Sequence, residues 1–241
     1  MRLLIIRHGD PDYAADSLTE KGWREAELLK DRLVREDITA FYCSPLGRAQ
    51  ATARPTLEAL GRTAETCDWL REFPAQILDP RTGAPRGCWD LMPSLVDSQP
   101  ALLDRQRWLD TPLYRSGDAA EVYETVCRGL DGLLARHGYV HEGYTFRAER
   151  ANTDTVALFC HFGVECVLLS HLLGISPVAL WQGFVALTSS VTTLYTEERE
   201  QGIAAWRCCG FSDISHLYAG AEPPSFQARF CETYDNMEQR H

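Results

Sequence analysis

The first apolar run of the chain is also its most informative one. Residues 3–6 are four consecutive aliphatics, followed directly by Arg7, His8 and Gly9. A short apolar run that stops at a glycine is typical of a buried strand in a mainly parallel sheet. The glycine permits a tight turn and a close approach of the backbone. We therefore expect Arg7 and His8 at the end of a strand, where such sheets bind their ligands.

The apolar and polar positions further along predict strands that alternate with helices. Strands are expected over residues 40–43, 65–70 and 155–160, with a closing hairpin over 190–195 and 203–209. Helices are expected over residues 20–35, 45–61, 118–137 and 163–173 and from 176 onward. This alternation predicts an α/β fold, a three-layer sandwich with a mainly parallel central sheet and helices on both faces. The segment 138–154 is polar and rich in turn residues, which predicts a surface excursion.

The stretch that follows the second predicted strand carries an arginine at the start of a helix. Ser44 is the expected N-cap and Pro45 the first helical residue, a position where proline is favoured. Arg48 lies about one turn further on. Helix N-termini attract anions, so an arginine there indicates that a negative group is held nearby. The alternative is a solvated surface arginine.

Two more polar residues follow predicted strands. His161 directly follows the strand over 155–160, as His8 follows the first strand, and Glu72 lies just past the third. If the two histidine-bearing strands are neighbours, both imidazoles face one crevice. His171, on the apolar helix behind His161, is interpreted as a core or capping histidine.

A long segment punctuated by prolines follows Glu72. Residues 73–115 are too long for a simple connection, and loops of this length are usually functional or disordered. The aromatic residues Trp89, Trp108 and Tyr114 indicate that the segment packs, so we expect an ordered lid inserted in a single domain over 1–241, with a short helix near 100–110.

The lid carries arginines in an otherwise acidic protein. We expect Arg81 or Arg86 to reach a second anionic group of the substrate and so to affect substrate choice. The alternative is that both pair with nearby carboxylates such as Asp79.

Composition narrows the choice of partners. The formal net charge of −10 argues against nucleic acid and anionic membrane surfaces. No apolar run approaches the ~18 residues that a membrane span needs. The nine cysteines are scattered, and no CxxC pair offers zinc-ligand spacing, which favours reduced thiols in a cytoplasmic protein.

The residues expected at the strand ends and helix start form one chemical set: Arg7, His8, Arg48, Glu72 and His161. Positively charged side chains that are held in place can stabilise the negative charge of a phosphoryl group while it is transferred. A neutral imidazole can attack phosphorus, and a carboxylic acid can protonate the departing alkoxide and then activate water. The set therefore predicts phosphoryl transfer.

The motifs LLIIRHG, SPLGRAQATA and LRE, with a later strand that ends in a histidine, resemble the histidine phosphatase superfamily, in its phosphoglycerate-mutase-like branch. The resemblance covers residues 1–210. It implies that His8 is the phosphorylated nucleophile, that Arg7, Arg48 and His161 bind the phosphoryl group, and that Glu72 is the acid/base. It also implies that neither metal nor cofactor is needed.

The sequence departs from the family pattern in three places. Many relatives have an Asn that helps to hold phosphate a few residues after RHG, whereas this chain reads RHGDPDYAA. The usual SHGG reads CHFG, and the FGxWEG that usually follows the glutamate is replaced by the lid sequence.

The sequence thus predicts a phosphomonoester hydrolase that acts on a small phosphorylated metabolite. A phosphoglycerate mutase-type transferase and a non-catalytic module that binds a phosphorylated ligand are the alternatives. The oligomeric state, monomer or homodimer, is left open.

Overall fold

The computed structural model describes residues 1–227, 229–236 and 238. The strands within these residues are β1 (Arg2–Arg7), β2 (Pro11–Asp12), β3 (Ser17–Leu18), β4 (Ala40–Cys43), β5 (Glu65–Thr66), β6 (Gln76–Leu78), β7 (Pro85–Gly87), β8 (Tyr139–Glu142), β9 (Thr145–Ala148), β10 (Thr155–Cys160), β11 (Val191–Glu200) and β12 (Ile203–Asp213). The α-helices are α1 (Glu20–Leu33), α2 (Gly47–Leu60), α3 (Pro93–Asp97), α4 (Ala119–Arg136), α5 (Phe162–Leu173), α6 (Pro177–Gly183) and α7 (Ser215–Ala219).

An eight-stranded sheet runs through the molecule in the order β5-β4-β10-β1-β11-β12-β9-β8. The four strands from β5 to β1 are parallel to one another, and every pairing from β1 to β8 is antiparallel. The predicted α/β fold is confirmed. The predicted parallel arrangement holds only for the half of the sheet that contains β1 and β10. His8 and His161 directly follow these two adjacent strands.

Side chains of β1 alternate between two apolar layers. Leu3 and Ile5 pack into the layer that includes α4 and α5, whereas Leu4 and Ile6 pack into the layer that includes α1 and α2. The period of two along a strand puts neighbouring side chains on opposite faces. Each fully buried aliphatic side chain contributes about 1.5–3 kcal/mol, so β1 is fixed in place from both sides. The sandwich of helices, sheet and helices follows from this double burial.

Some predicted boundaries are wrong. Helix α2 begins at Gly47, so Ser44 and Pro45 form the turn before it, and its N-cap is Leu46. The reason is that the Ser44 hydroxyl has another hydrogen-bond partner, described below. The strand predicted over 65–70 covers only β5, after which Asp68–Leu70 form a 3-10 turn.

The prediction of an irregular surface segment over 138–154 is also wrong. Its strands β8 and β9 form a hairpin that joins the edge of the sheet through β12. Only Tyr139 and Phe146 of the hairpin are fully buried, so the apolar alternation is too sparse to show in the sequence.

The segment predicted as a lid is ordered and contributes to the core. Trp108, Tyr114 and Leu102 are buried in the same apolar layer as α4 and α5. The ring of Trp108 stands edge-on to that of Tyr114, with centroids 4.8 Å apart. The single helix predicted near 100–110 is instead a series of short turns, Pro100–Leu103, Trp108–Asp110 and Tyr114–Ser116, preceded by α3 and the β6–β7 hairpin.

Within the residues that the structure describes, no helix is both long and apolar enough to span a membrane.

Candidate active site

The register of β1 against β10 sets the two histidines side by side. Arg7 lies opposite Cys160, so the next residues, His8 and His161, leave adjacent parallel strands at the same level. Their ring centroids are 5.1 Å apart. Both side chains are buried, with His8 2% and His161 0% exposed. The predicted meeting of the two imidazoles is therefore present in the structure.

His8 is held as a neutral imidazole with one nitrogen free. Its Nδ1 lies 2.7 Å from the carbonyl oxygen of Gly9, which can only accept, so Nδ1 carries the proton and Nε2 the lone pair. Burial, followed by the charges of Arg7 and Arg48, holds the pKa of His8 well below its ordinary 6.5. An uncharged ring with a lone pair on Nε2 is the form that a nucleophile requires.

His161 is oriented by Ser44 across the sheet. The Ser44 hydroxyl accepts a hydrogen bond from the Leu46 N–H at 3.2 Å and contacts His161 Nε2 at 2.7 Å. If that hydroxyl donates to Nε2, the proton of the neutral ring is on Nδ1. His161 Nδ1 is buried and has no hydrogen-bond partner among the described residues. It is available as a donor to a bound oxygen atom.

The two arginines each keep one buried nitrogen unused. Arg7 is 2% exposed and donates through Nη1 to the carbonyl oxygens of Ala186 and Gln227. Arg48 pairs with Asp16, Nη1 to Oδ1 at 2.8 Å, and lies 5.5 Å from the ring centroid of Tyr13. Within the described part of the chain, the Nε atoms of both arginines are buried without a partner.

Glu72 is presented to the site by two backbone N–H groups. Its Oε1 accepts hydrogen bonds from Phe73 N–H at 2.8 Å and Val164 N–H at 3.2 Å. Burial raises the pKa of Glu72, opposed by these hydrogen bonds and by Arg7 and Arg48. The charges of Arg7 and Arg48 lower the pKa of Glu72, and a bound anion would partly neutralise them. Anion binding would therefore favour the protonated carboxyl. Such a carboxyl can act as a general acid.

The five predicted site residues lie within reach of one another's charges. Arg7 and Arg48 both lower the pKa of His8, of His161 and of Glu72. The Glu72, Glu165 and Glu25 carboxylates act on Arg7 through their charges, and Asp16 pairs with Arg48. The arrangement can hold a tetrahedral oxyanion against the lone pair of His8.

Two supporting residues were missed by the sequence analysis. Glu25 of α1 is fully buried and accepts hydrogen bonds from the Asp10 N–H at 2.8 Å and the Thr188 hydroxyl at 3.0 Å, which fixes the loop after His8. The position of Glu25 beside Ala26 on the apolar stripe of α1 was a usable signal. The local sequence predicts only a helix cap for Ser44, because its contact with His161 spans 117 residues.

The loop after Gly9 reads DPDYAADS and contains no Asn. Asp16 of the same loop, with φ 43°, contacts Arg48 instead.

The lid arginines lie on the β6–β7 hairpin and its turn. Arg81 and Arg86 both pair with Asp79, at 3.5 Å and 3.4 Å. The structure thus shows the pairing with Asp79 that the sequence analysis gave as the alternative to a contact with substrate. A contact of either arginine with substrate stays a prediction.

Comparison with known proteins agrees with this geometry. The sequence model of the histidine phosphatase superfamily (branch 1) matches residues 3–84, the part that contains Arg7, His8, Arg48 and Glu72. Over these residues the chain resembles the histidine phosphatase superfamily.

Among curated proteins, the chain is 24% identical over 218 residues to phosphoserine phosphatase 1 of Hydrogenobacter thermophilus, covering 84% of this chain and 90% of that protein. It is 36% identical over 90 residues to a probable phosphoglycerate mutase of Yersinia pestis, covering 34% of this chain and 42% of that protein. Among solved structures, a mycobacterial glucosyl-3-phosphoglycerate phosphatase has the same fold, with a TM-score of 0.59 and 20% identity over 88% of this chain and 98% of that one.

Proposed function

We propose that this protein hydrolyses phosphate monoesters through a covalent phosphohistidine at His8. The observation that carries the proposal is the set of unpaired buried nitrogens, Arg7 Nε, Arg48 Nε and His161 Nδ1, around a neutral His8 whose Nε2 is free. Buried polar groups are nearly always paired, so three orphans in one place indicate a ligand that pairs them. A phosphoryl group supplies acceptor oxygens for all three.

The residues then act in two steps. In the first, the Nε2 lone pair of His8 attacks phosphorus, the ester P–O bond breaks, and Glu72 gives its proton to the departing alkoxide. In the second, Glu72 takes a proton from water, the hydroxide attacks the phosphohistidine, and phosphate leaves with His8 neutral again. Arg7, Arg48 and His161 hold the phosphoryl oxygens throughout and match the charge that they carry in the transition state.

The test compares His8→Ala with the wild-type protein on a panel of phosphate monoesters. We expect the variant to lose turnover, because it lacks the nitrogen that attacks phosphorus. A matched control is His137→Ala, since His137 contacts Tyr42 at 2.9 Å and is no part of the site. Wild-type turnover in His8→Ala would refute the proposal, and trapping an acid-labile phosphoenzyme in wild type alone would support it.

A mutase is the second candidate, since the mutase relative is 36% identical over its matched part. It would use the same site but return the phosphoryl group to an acceptor in place of water. Incubation with 3-phosphoglycerate separates the two, because a mutase yields 2-phosphoglycerate and a phosphatase yields free phosphate. Hydrolysis is favoured by the phosphatase relative, which the chain matches over 90% of its length.

A module that binds a phosphorylated ligand without turnover is disfavoured by Glu72, since binding alone does not need a proton donor. Tight phosphate binding with no turnover of any ester would restore this alternative.

The proposed substrate is a small phosphorylated metabolite, and we place the enzyme in the cytoplasm. All nine cysteines are free thiols and six of them are buried, as in proteins of reducing compartments.

A further inference from the structure

A second cluster of ligating side chains lies away from the catalytic crevice. Asp131 of α4, His141 of β8 and His171 of α5 bring one ligand atom each to within 4.8 Å of the others. His171 stands ten residues beyond the catalytic His161 (171 − 161), which is about 15 Å along the axis of α5. The cluster is therefore separate from the site described above.

Asp131 faces both histidines at once. Its Oδ1 lies 2.7 Å from His171 Nε2, and its Oδ2 lies 3.3 Å from His141 Nδ1. The side chains of all three residues are partly exposed, at 31% for Asp131, 21% for His141 and 10% for His171. The cluster is thus open to an ion from solvent while its members are held by the elements that carry them.

The proton on His141 is on the wrong nitrogen for a simple hydrogen bond to Asp131. Its Nε2 lies 2.7 Å from the carbonyl oxygen of Gly143, which can only accept, so Nε2 carries the proton of the neutral ring. Nδ1 then presents a lone pair to a carboxylate oxygen at 3.3 Å. Two acceptors at this distance repel unless a positive centre stands between them. That centre is either a second proton on His141 or a bound cation.

Orientation of the ring by a backbone carbonyl is what metal-binding histidines commonly show. The ring is also fixed by packing, since its centroid lies 4.8 Å from that of Phe146 and 4.4 Å from that of His171. Two imidazole nitrogens and one carboxylate oxygen, with a further position open to water, suit Zn²⁺ and its first-row neighbours. Hard cations such as Mg²⁺ and Ca²⁺ prefer oxygen ligands.

The geometry requires only a small adjustment to accept the ion. A tetrahedral zinc centre places its nitrogen and oxygen ligands about 3.3–3.6 Å apart, so a separation of 4.8 Å must close by about 1.2–1.5 Å and the 2.7 Å between Asp131 and His171 must open slightly. Rotation of partly exposed side chains can supply this. Arg105 approaches the same end of α5, 2.9 Å from where a Cβ on Gly174 would stand. Its charge opposes a cation, so we expect the affinity to be moderate.

We propose that Asp131, His141 and His171 bind a divalent transition-metal ion, Zn²⁺ in the first instance, in a structural site. The ion ties the β8–β9 hairpin, which lies at the edge of the sheet, to α4 and α5. This proposal is independent of the function proposed for the catalytic site.

The test uses tag-free protein stripped with a chelator, dialysed, and titrated with Zn²⁺ in phosphate-free buffer. We expect about one zinc per chain and a rise in Tm of about 5–10 °C at a zinc concentration 100-fold above Kd. In His141→Gln and His171→Gln the affinity should fall at least tenfold, and the rise at the same zinc concentration should fall to about half or less. Absence of zinc binding to the wild-type protein would overturn the proposal.

Two controls exclude zinc held elsewhere. His8→Ala removes a ring of the catalytic pair, and Cys208→Ser with Cys209→Ser removes the adjacent exposed thiols. Both should keep the full rise in Tm. Equal zinc binding and an equal rise in His141→Gln, His171→Gln and wild type would also overturn the proposal.

A measurement on the wild-type protein covers the case in which the variants do not fold. Nitrogen NMR of the imidazoles should show that the His141 Nδ1 and His171 Nε2 signals shift on addition of Zn²⁺ to the stripped protein. Imidazole signals that zinc leaves unchanged would instead identify the cluster as an ion pair and refute the metal site.

Discussion

Glu165 carries the strongest prediction about pH. It lies in the first turn of α5 and is 1% exposed. Its oxygens make no hydrogen bond of normal geometry to the described residues. The Thr192 hydroxyl and the Arg7 charge only partly offset the effect of burial, which raises its pKa from 4.5 to about 7. The exchange Glu165→Gln removes the charge while it keeps the shape of the side chain.

The magnitude follows from the shift. An increase of about 2.5 pKa units (7 − 4.5) corresponds to about 3 kcal/mol at 1.36 kcal/mol per unit. Because the folded state binds this proton more tightly than the unfolded state, the stabilisation is complete below pH 4.5 and is lost as the pH rises to about 7. Above that pH, the buried carboxylate destabilises the wild type and the glutamine does not.

The assay is urea unfolding of both proteins from pH 5 to pH 8.5, without phosphate. We expect similar free energies of unfolding at pH 5 and a variant that is more stable by up to about 3 kcal/mol at pH 8.5. Glu121→Gln is the control, because Glu121 is exposed on α4 and its removal should leave the pH dependence unchanged. Parallel curves for wild type and Glu165→Gln would refute the reasoning, as would a variant that is less stable at pH 8.5.

Two further substitutions test how the catalytic groups are held. A Cβ on Gly163 would stand 2.6 Å from Glu72 Oε1, so Gly163→Ala should displace the carboxyl and lower kcat at least tenfold with phosphate binding retained. Gly132→Ala, where a Cβ meets nothing within 4 Å, is the control and should keep wild-type kcat. Ser44→Ala should weaken inhibition by inorganic phosphate about five- to tenfold, since His161 loses the hydrogen bond that orients it. Unchanged inhibition would show that Ser44 has no such role.

The sequence predicted correctly the strands that form continuous apolar runs. Strands β1 and β10 are continuous apolar runs with a histidine at the end, and both were predicted together with the crevice that they share. The β8–β9 hairpin was missed because only one of its side chains in each strand is fully buried.

Residues whose roles depend on distant partners could not be found from local patterns. Glu25 and Ser44 act through Thr188 and His161, which are 163 and 117 residues away along the chain. Such pairings are decided by how the elements pack. For Arg81 and Arg86 the sequence offers a local partner, Asp79, and both pair with it in the structure, whereas a contact with substrate stays a prediction.

The central position of β1 has a consequence for the order of folding. Its neighbours in the sheet are β10 and β11, and Arg2 is paired with Thr155 on one side and Tyr195 on the other. During synthesis, neither edge of β1 can therefore form its strand pairing until the chain has been made as far as β10, which begins at Thr155. At about 5–20 residues per second this interval is on the order of ten seconds or more. A nascent chain of this protein thus leaves the four consecutive aliphatic side chains of residues 3–6 without their strand neighbours for that time. Transiently exposed apolar surface of this kind promotes aggregation, which chaperones counteract.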